Sequence, residues 1–116
     1  MAIVINEENS PMIEVKFTSE KFTDENYNEF LNKWIDLYEN GEDFCFIFDT
    51  CDINEIPHIK YSLGLCIFIK NLKKKYEYQY LKYSTIKIND IRIKYLLDFI
   101  FTVQKPVAPV KIINQR

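Results

Sequence analysis

The chain has 116 residues, of which 47% are hydrophobic and 28% charged, and a formal net charge of −2. Those values describe one ordinary globular domain, residues 1–116, and exclude a disordered or low-complexity chain. No apolar run approaches the length that spans a bilayer, and MAIVINEENS lacks the basic start and apolar core of a signal peptide, so a cytoplasmic protein with no membrane attachment is expected.

Cys45, Cys51 and Cys66 are odd in number and show no CxxC spacing, which predicts reduced thiols and no disulfide framework. The small net charge hides a split. Residues 1–58 carry fourteen Asp or Glu against three Lys, and residues 59–116 carry three acidic against twelve basic residues. Such halves can steer a charged partner or favour a homo-oligomer through charge-complementary halves; neighbouring helices complementing each other is the plainer explanation.

AIVI is a short apolar segment, followed by the polar turn NEENSP and by MIEVKF, in which Ile13, Val15 and Phe17 alternate with Glu14 and Lys16. The period of two predicts a strand, and the two segments suit a hairpin or a sheet edge. Tyr27, Phe30, Leu31, Trp34, Ile35 and Tyr38 then follow helical spacing, with Thr23 as N-cap, Asp24 and Glu25 at the positive end of the dipole, and Gly41 where a C′ residue belongs.

Phe44–Phe48 is an unbroken apolar run, the pattern of a strand covered on both faces. After it the chain turns polar at Asp49, and a second helix is expected from Pro57. Ile59, Leu63, Leu65, Cys66, Ile67, Phe68, Ile69 and Leu72 cover most of that helix's circumference, which predicts a largely buried element, with Gly64 marking a close approach to the sheet. LKYSTIKI, Leu81 to Ile88, reads as a strand. Asn89 or Asp90 caps a third helix striped by Ile93, Leu96, Leu97, Ile100 and Phe101, Pro106 stops it, and Val107 to Ile113 is the last strand. The order β-β-α-β-α-β-α-β predicts an α/β fold with a four- or five-stranded, mostly parallel sheet and three helices.

That element order, with the turn Asp49-Thr50 after FCFIF, resembles the STAS domains, the family of anti-sigma factor antagonists, over roughly Met12 to Asn114. The resemblance implies a non-enzymatic regulatory or scaffold module that works by protein–protein interaction and is switched by phosphorylation of a Ser or Thr in a segment like D-S-[SA]-G. Asp49 and Thr50 match the start of that segment, making Thr50 the implied phosphoacceptor, whereas Cys51-Asp52-Ile53 departs from it. Ser62-Leu63-Gly64-Leu65 looks like the family's S-G-L, further down the helix.

The loop from Asp49 to Tyr61 follows a strand's carboxyl end, where ligands gather in open α/β sheets. Asp49, Asp52, Asn54, His58, Tyr61 and Ser62 are accordingly the candidate recognition residues, for a protein partner of unknown identity. Short polar side chains also recur there as ordinary turn and cap residues. The alternative is a small enzyme or ligand-binding domain using the same loop, with Cys51 as nucleophile and His58 as base. No catalytic residue is assigned, and no metal or cofactor is implied.

Asp49 fits neither a haloacid-dehalogenase site, which wants a second Asp where Cys51 stands, nor a receiver domain, since Lys105 precedes the last strand. An EF-hand reading fails at Pro57 and Leu63. Lys70, Lys73, Lys74 and Lys75 beside Tyr76, Tyr78 and Tyr80 suit nucleic acid, yet the pI near 5.4 argues for a Lys-rich helix end facing water.

Overall fold

In a computed structural model, residues 2–115 are described. Among them the chain forms five strands and three helices in the expected order: β1 (Ile3–Asn6), β2 (Met12–Phe17), α1 (Asp24–Glu39), β3 (Phe44–Asp49), α2 (Ile59–Lys75), β4 (Leu81–Ile88), α3 (Ile91–Val103) and β5 (Val110–Asn114). The sheet runs β1-β2-β3-β4-β5, with β1 antiparallel to β2 and every later pair parallel. The first two strands are thus both a hairpin and an edge.

Helix boundaries follow local chemistry. Thr23 caps α1, its hydroxyl accepting from the amide of Asn26 at 3.2 Å. Gly41 takes φ +70° just past that helix, a conformation free of strain only without a Cβ. Helix α2 starts two residues later than Pro57 suggests, because His58 is the N-cap: its Nδ1 accepts from the amide of Lys60 at 3.0 Å. Asp90 caps α3 in the same way, accepting from the amide of Arg92 at 2.9 Å. Strand β5 begins after Pro109, whose ring denies the ladder a donor.

All three helices pack on one face of the sheet. Ile13, Val15, Phe44, Phe46 and Leu81 meet Phe30, Trp34 and Tyr38 of α1 and Ile69 and Leu72 of α2 in one buried cluster. Ile86 and Ile88 meet Ile93 of α3 in a second. A strand order equal to the sequence order has this result: each right-handed crossover steps the same way, so each helix lands on the same side.

The expectation that β3 is covered on both faces is therefore corrected. Phe44, Phe46 and Phe48 point to the helices, where Phe46, 1% exposed, lies between the rings of Phe30 and Trp34. Cys45 and Ile47 point the other way, onto a face against which no helix packs among the described residues. The run is continuous because Cys45 and Ile47 are apolar on an open sheet face; Cys45 is still buried there between its neighbours, its Sγ 3.9 Å from the carbonyl of Pro11.

Helix α2 is likewise less buried than its composition suggests. Ser62, Cys66, Ile69 and Leu72 are buried, but Ile59, Leu63 and Ile67 are 50%, 45% and 61% exposed. Gly64 marks a close approach to α1 instead of to the sheet: a Cβ there would lie 2.7 Å from the hydroxyl of Tyr27. Cys45, Cys51 and Cys66 are all free thiols. No described helix is long and apolar enough to cross a membrane.

Candidate functional site

The loop after β3 spends most of its polar groups on its own fold. Thr50 is only 8% exposed, and both its amide and its hydroxyl donate to the carbonyl of Lys87, at 3.0 and 2.8 Å. The residue pins the end of β3 to the end of β4. The residue also lines, with Phe48, Leu97 and Phe101, an apolar cavity of about 150 Å³. Asp49 caps the turn that follows, accepting from the amide of Cys51 at 3.0 Å.

The other expected recognition residues are divided. Asp52 is exposed and pairs with Lys16 of β2 at 3.3 Å. His58 is exposed but holds the α2 cap, and Ser62 is buried within the first turns of that helix. Tyr61 reaches α1, donating to a carboxylate oxygen of Asp24 at 2.6 Å, while Lys60 pairs with the same carboxylate at 3.0 Å. Together the hydrogen bonds from Tyr61 and Lys60 and the charge of Lys60 hold the Asp24 carboxyl below its ordinary range.

Asn54 lines a cleft of about 130 Å³ between this loop and residues Phe17–Phe22 after β2. The place is the carboxyl edge of two parallel strands, as anticipated. The volume falls short of the several hundred Å³ that hold a small-molecule ligand.

Cys51 and His58 do not form a nucleophile and base. Burial, and then the hydrogen bond and charge of Asp49, push the Cys51 thiol up, away from a reactive thiolate. The Nδ1 lone pair of His58 is committed to the helix cap, and no hydrogen bond joins the two residues among those described. The described residues also contain no group of three or more His, Cys, Asp or Glu placed to hold a metal ion.

The basic and aromatic segment after α2 resolves into packing. Tyr76 and Tyr80 lie against the core and stack edge-on to Tyr38, while Tyr78 donates to Asp43 at 2.7 Å and lies under the Lys82 ammonium, 4.0 Å from the ring centre.

A different surface stands out. Of the eleven large hydrophobic side chains exposed among the described residues, seven belong to the outer faces of α2 and α3. Ile59, Leu63 and Ile67 form one row at a spacing of four; Ile91, Tyr95, Phe99 and Val103 form another. The helices are adjacent, with the Cys66 thiol 3.5 Å from the carbonyl of Ile100. Helical periodicity of about 100° per residue turns Leu63 and Ile67 away from Cys66, and Val103 and Phe99 away from Ile100, so the two rows lie on the outer faces of adjoining helices, from which we infer a shallow groove along the seam between them. Lys70 and Lys74, both exposed, continue the α2 row toward its C-terminus.

The sequence carries only a partial signal for this surface. Each helix carries two apolar rows, one more than a single buried face requires.

No family model, curated protein or solved structure matches this chain.

Proposed function

We propose that this chain is a non-enzymatic interaction module that docks a partner protein on the outer groove between α2 and α3. The observation that carries the proposal is the paired row of Ile59, Leu63 and Ile67 against Tyr95, Phe99 and Val103, each 38–65% exposed. Water-facing apolar side chains in such number on adjoining helices mark an interaction site, since leaving them bare costs free energy that a partner recovers. Lys70 and Lys74 at one end of the groove favour an acidic, amphipathic segment laid along it, in the helix-in-groove manner.

The proposal agrees with the partner-binding role that resemblance to STAS domains implies, and moves the contact from the Asp49–Tyr61 loop to the outer faces of the helices it leads into. Control by phosphorylation draws no support from Thr50, whose hydroxyl is buried and bonded. In this proposal Thr50 is a clamp that holds β3 to β4.

The test is affinity capture from the native host with chemical cross-linking. Wild type is expected to retain a partner cross-linked through Lys70 or Lys74, and Leu63→Asp with Ile67→Asp to lose it, while Asp49→Ala keeps it. Equal capture by the wild type and the α2 double variant removes the groove from the account.

A further inference from the structure

The helix-free face of the sheet is a second surface, independent of the groove. Its side chains fall into rows set by the strand register. Across the middle run Asn6, Glu14, Ile47, Thr85 and Lys111; nearer the carboxyl ends run Val4, Lys16, Asp49, Lys87 and Ile113. Met12, Cys45 and Tyr83 lie toward the amino ends, and Val4, Met12 and Tyr83 are 46%, 38% and 45% exposed. Lys16 is paired with Asp52 within the chain, so what this face offers a partner is acidic on β2 and β3, through Glu14 and Asp49, and basic on β4 and β5, through Lys87 and Lys111.

We infer that a second copy of this chain covers this face, the two sheets stacking about a two-fold axis that runs parallel to the strands between β3 and β4. Such an axis keeps every row at its own height and exchanges β2 with β5 and β3 with β4. Glu14 then opposes the second copy's Lys111, Asp49 opposes its Lys87, Ile47 opposes its Thr85, and Cys45 opposes its Tyr83. Symmetry makes each contact twice, as an isologous interface requires.

A two-fold axis in the interface but perpendicular to the strands sets β2 on β2 and Glu14 against Glu14. With every row kept at its own height, charge favours the parallel axis over one that sets Glu14 on Glu14. Aligned stacking within about 30° is also how two twisted sheets pack face to face, about 10 Å apart.

Four overlapping strands, about 4.8 Å from one to the next and about 17 Å long, present roughly 330 Å² of sheet per copy, about 650 Å² in total, below the standard size for stable interfaces. The expected dimer is reversible and sensitive to salt.

Sedimentation equilibrium of the full chain tests this with wild type, Glu14→Lys, Lys111→Glu and an equimolar mixture of the two variants. Wild type should rise with concentration from 14.0 kDa toward twice that mass at low salt and less so at high salt. Each variant alone opposes like charges at two symmetric places, so its dissociation constant should weaken at least about tenfold. The mixture should recover wild-type association, because the lysine introduced on β2 of one variant meets the glutamate introduced on β5 of the other.

Circular dichroism of each variant verifies that it is folded. A wild type that stays monomeric at high micromolar concentration and low salt overturns the inference, as do variants that associate like wild type or a mixture that fails to recover. A dimer abolished by Ile67→Asp but retained by Glu14→Lys belongs to the helical groove, and also overturns it. The two surfaces lie on opposite sides of the molecule, so either can fail without the other.

Discussion

The amide and hydroxyl of Thr50 share one acceptor, the carbonyl of Lys87, where β3 and β4 end together. Thr50→Val keeps shape and amide but removes one of these bonds, and should cost about 0.5–1.5 kcal/mol in urea denaturation, the net worth of a hydrogen bond. Thr50→Glu forces a charge into the apolar wall behind Phe48 and Leu97, and should cost several times more. An unchanged midpoint for Thr50→Val would mean the hydroxyl carries no stability. Asp24 poses the corresponding question in acid. Its folded-state pKa lies below the ordinary 3.8, chiefly through the Tyr61 hydroxyl, so its contribution is fully present above that pH and is lost as the pH falls through the lowered value. Asp24→Asn should flatten the decline in stability below about pH 4, read as thermal midpoint against pH; an equally steep decline would assign it to other carboxylates.

Among the elements, those whose stop signals are chemical were readable from residue type. Thr23 and Gly41 bracket α1, and Leu81–Ile88 is delimited as a strand by its β-branched and aromatic content. What the pattern of apolar residues does not contain is the side on which they are covered. Phe44–Phe48 has the same letters whether one or both faces are packed, and only the strand order decides that Cys45 and Ile47 are bare of helices. The same ambiguity conceals the outer row of α2, since an apolar row spaced by four looks alike in one dimension whether it fills a core or, as at Leu63, faces water. Within the candidate site, the capping roles of Asp49 and His58 follow from residue type, whereas the burial of Thr50 depends on β4, thirty-seven residues away. Gly64 tests the seam between α1 and α2. Alanine there gains about 1 kcal/mol of helix propensity, yet its Cβ displaces the Tyr27 hydroxyl, which donates to the carbonyl of Tyr61 at 3.0 Å. Gly64→Ala should be net destabilising by roughly 1 kcal/mol, and combining it with Tyr27→Phe should recover part of the loss in a chemical-denaturation cycle. A net gain would show that the tyrosine moves aside freely.

For the molecule as a whole, a strand order that repeats the sequence order turns a sequence asymmetry into a spatial one. The acidic half becomes β1, β2, α1 and β3, and the basic half becomes α2, β4, α3 and β5, side by side. Asp24 with Lys60, Glu39 with Lys75 and Asp43 with Lys82 join the halves, each pair exposed to water and so contributing little to stability. Those pairs realise the plainer explanation of the charge split at the boundary, while Glu14 and Lys111 stand too far from it to meet within one chain. The sequential order also governs synthesis. Each strand pairs with the one made just before it, so the sheet can be laid down in the order of translation, one edge at a time. A ribosome that stalls after α2 leaves the Phe44–Asp49 strand with one edge unpaired, its open side a template for any extended chain nearby. Pairing of Leu81–Ile88 closes that edge and passes the open one outward to its own far side, which Val110–Asn114 then covers.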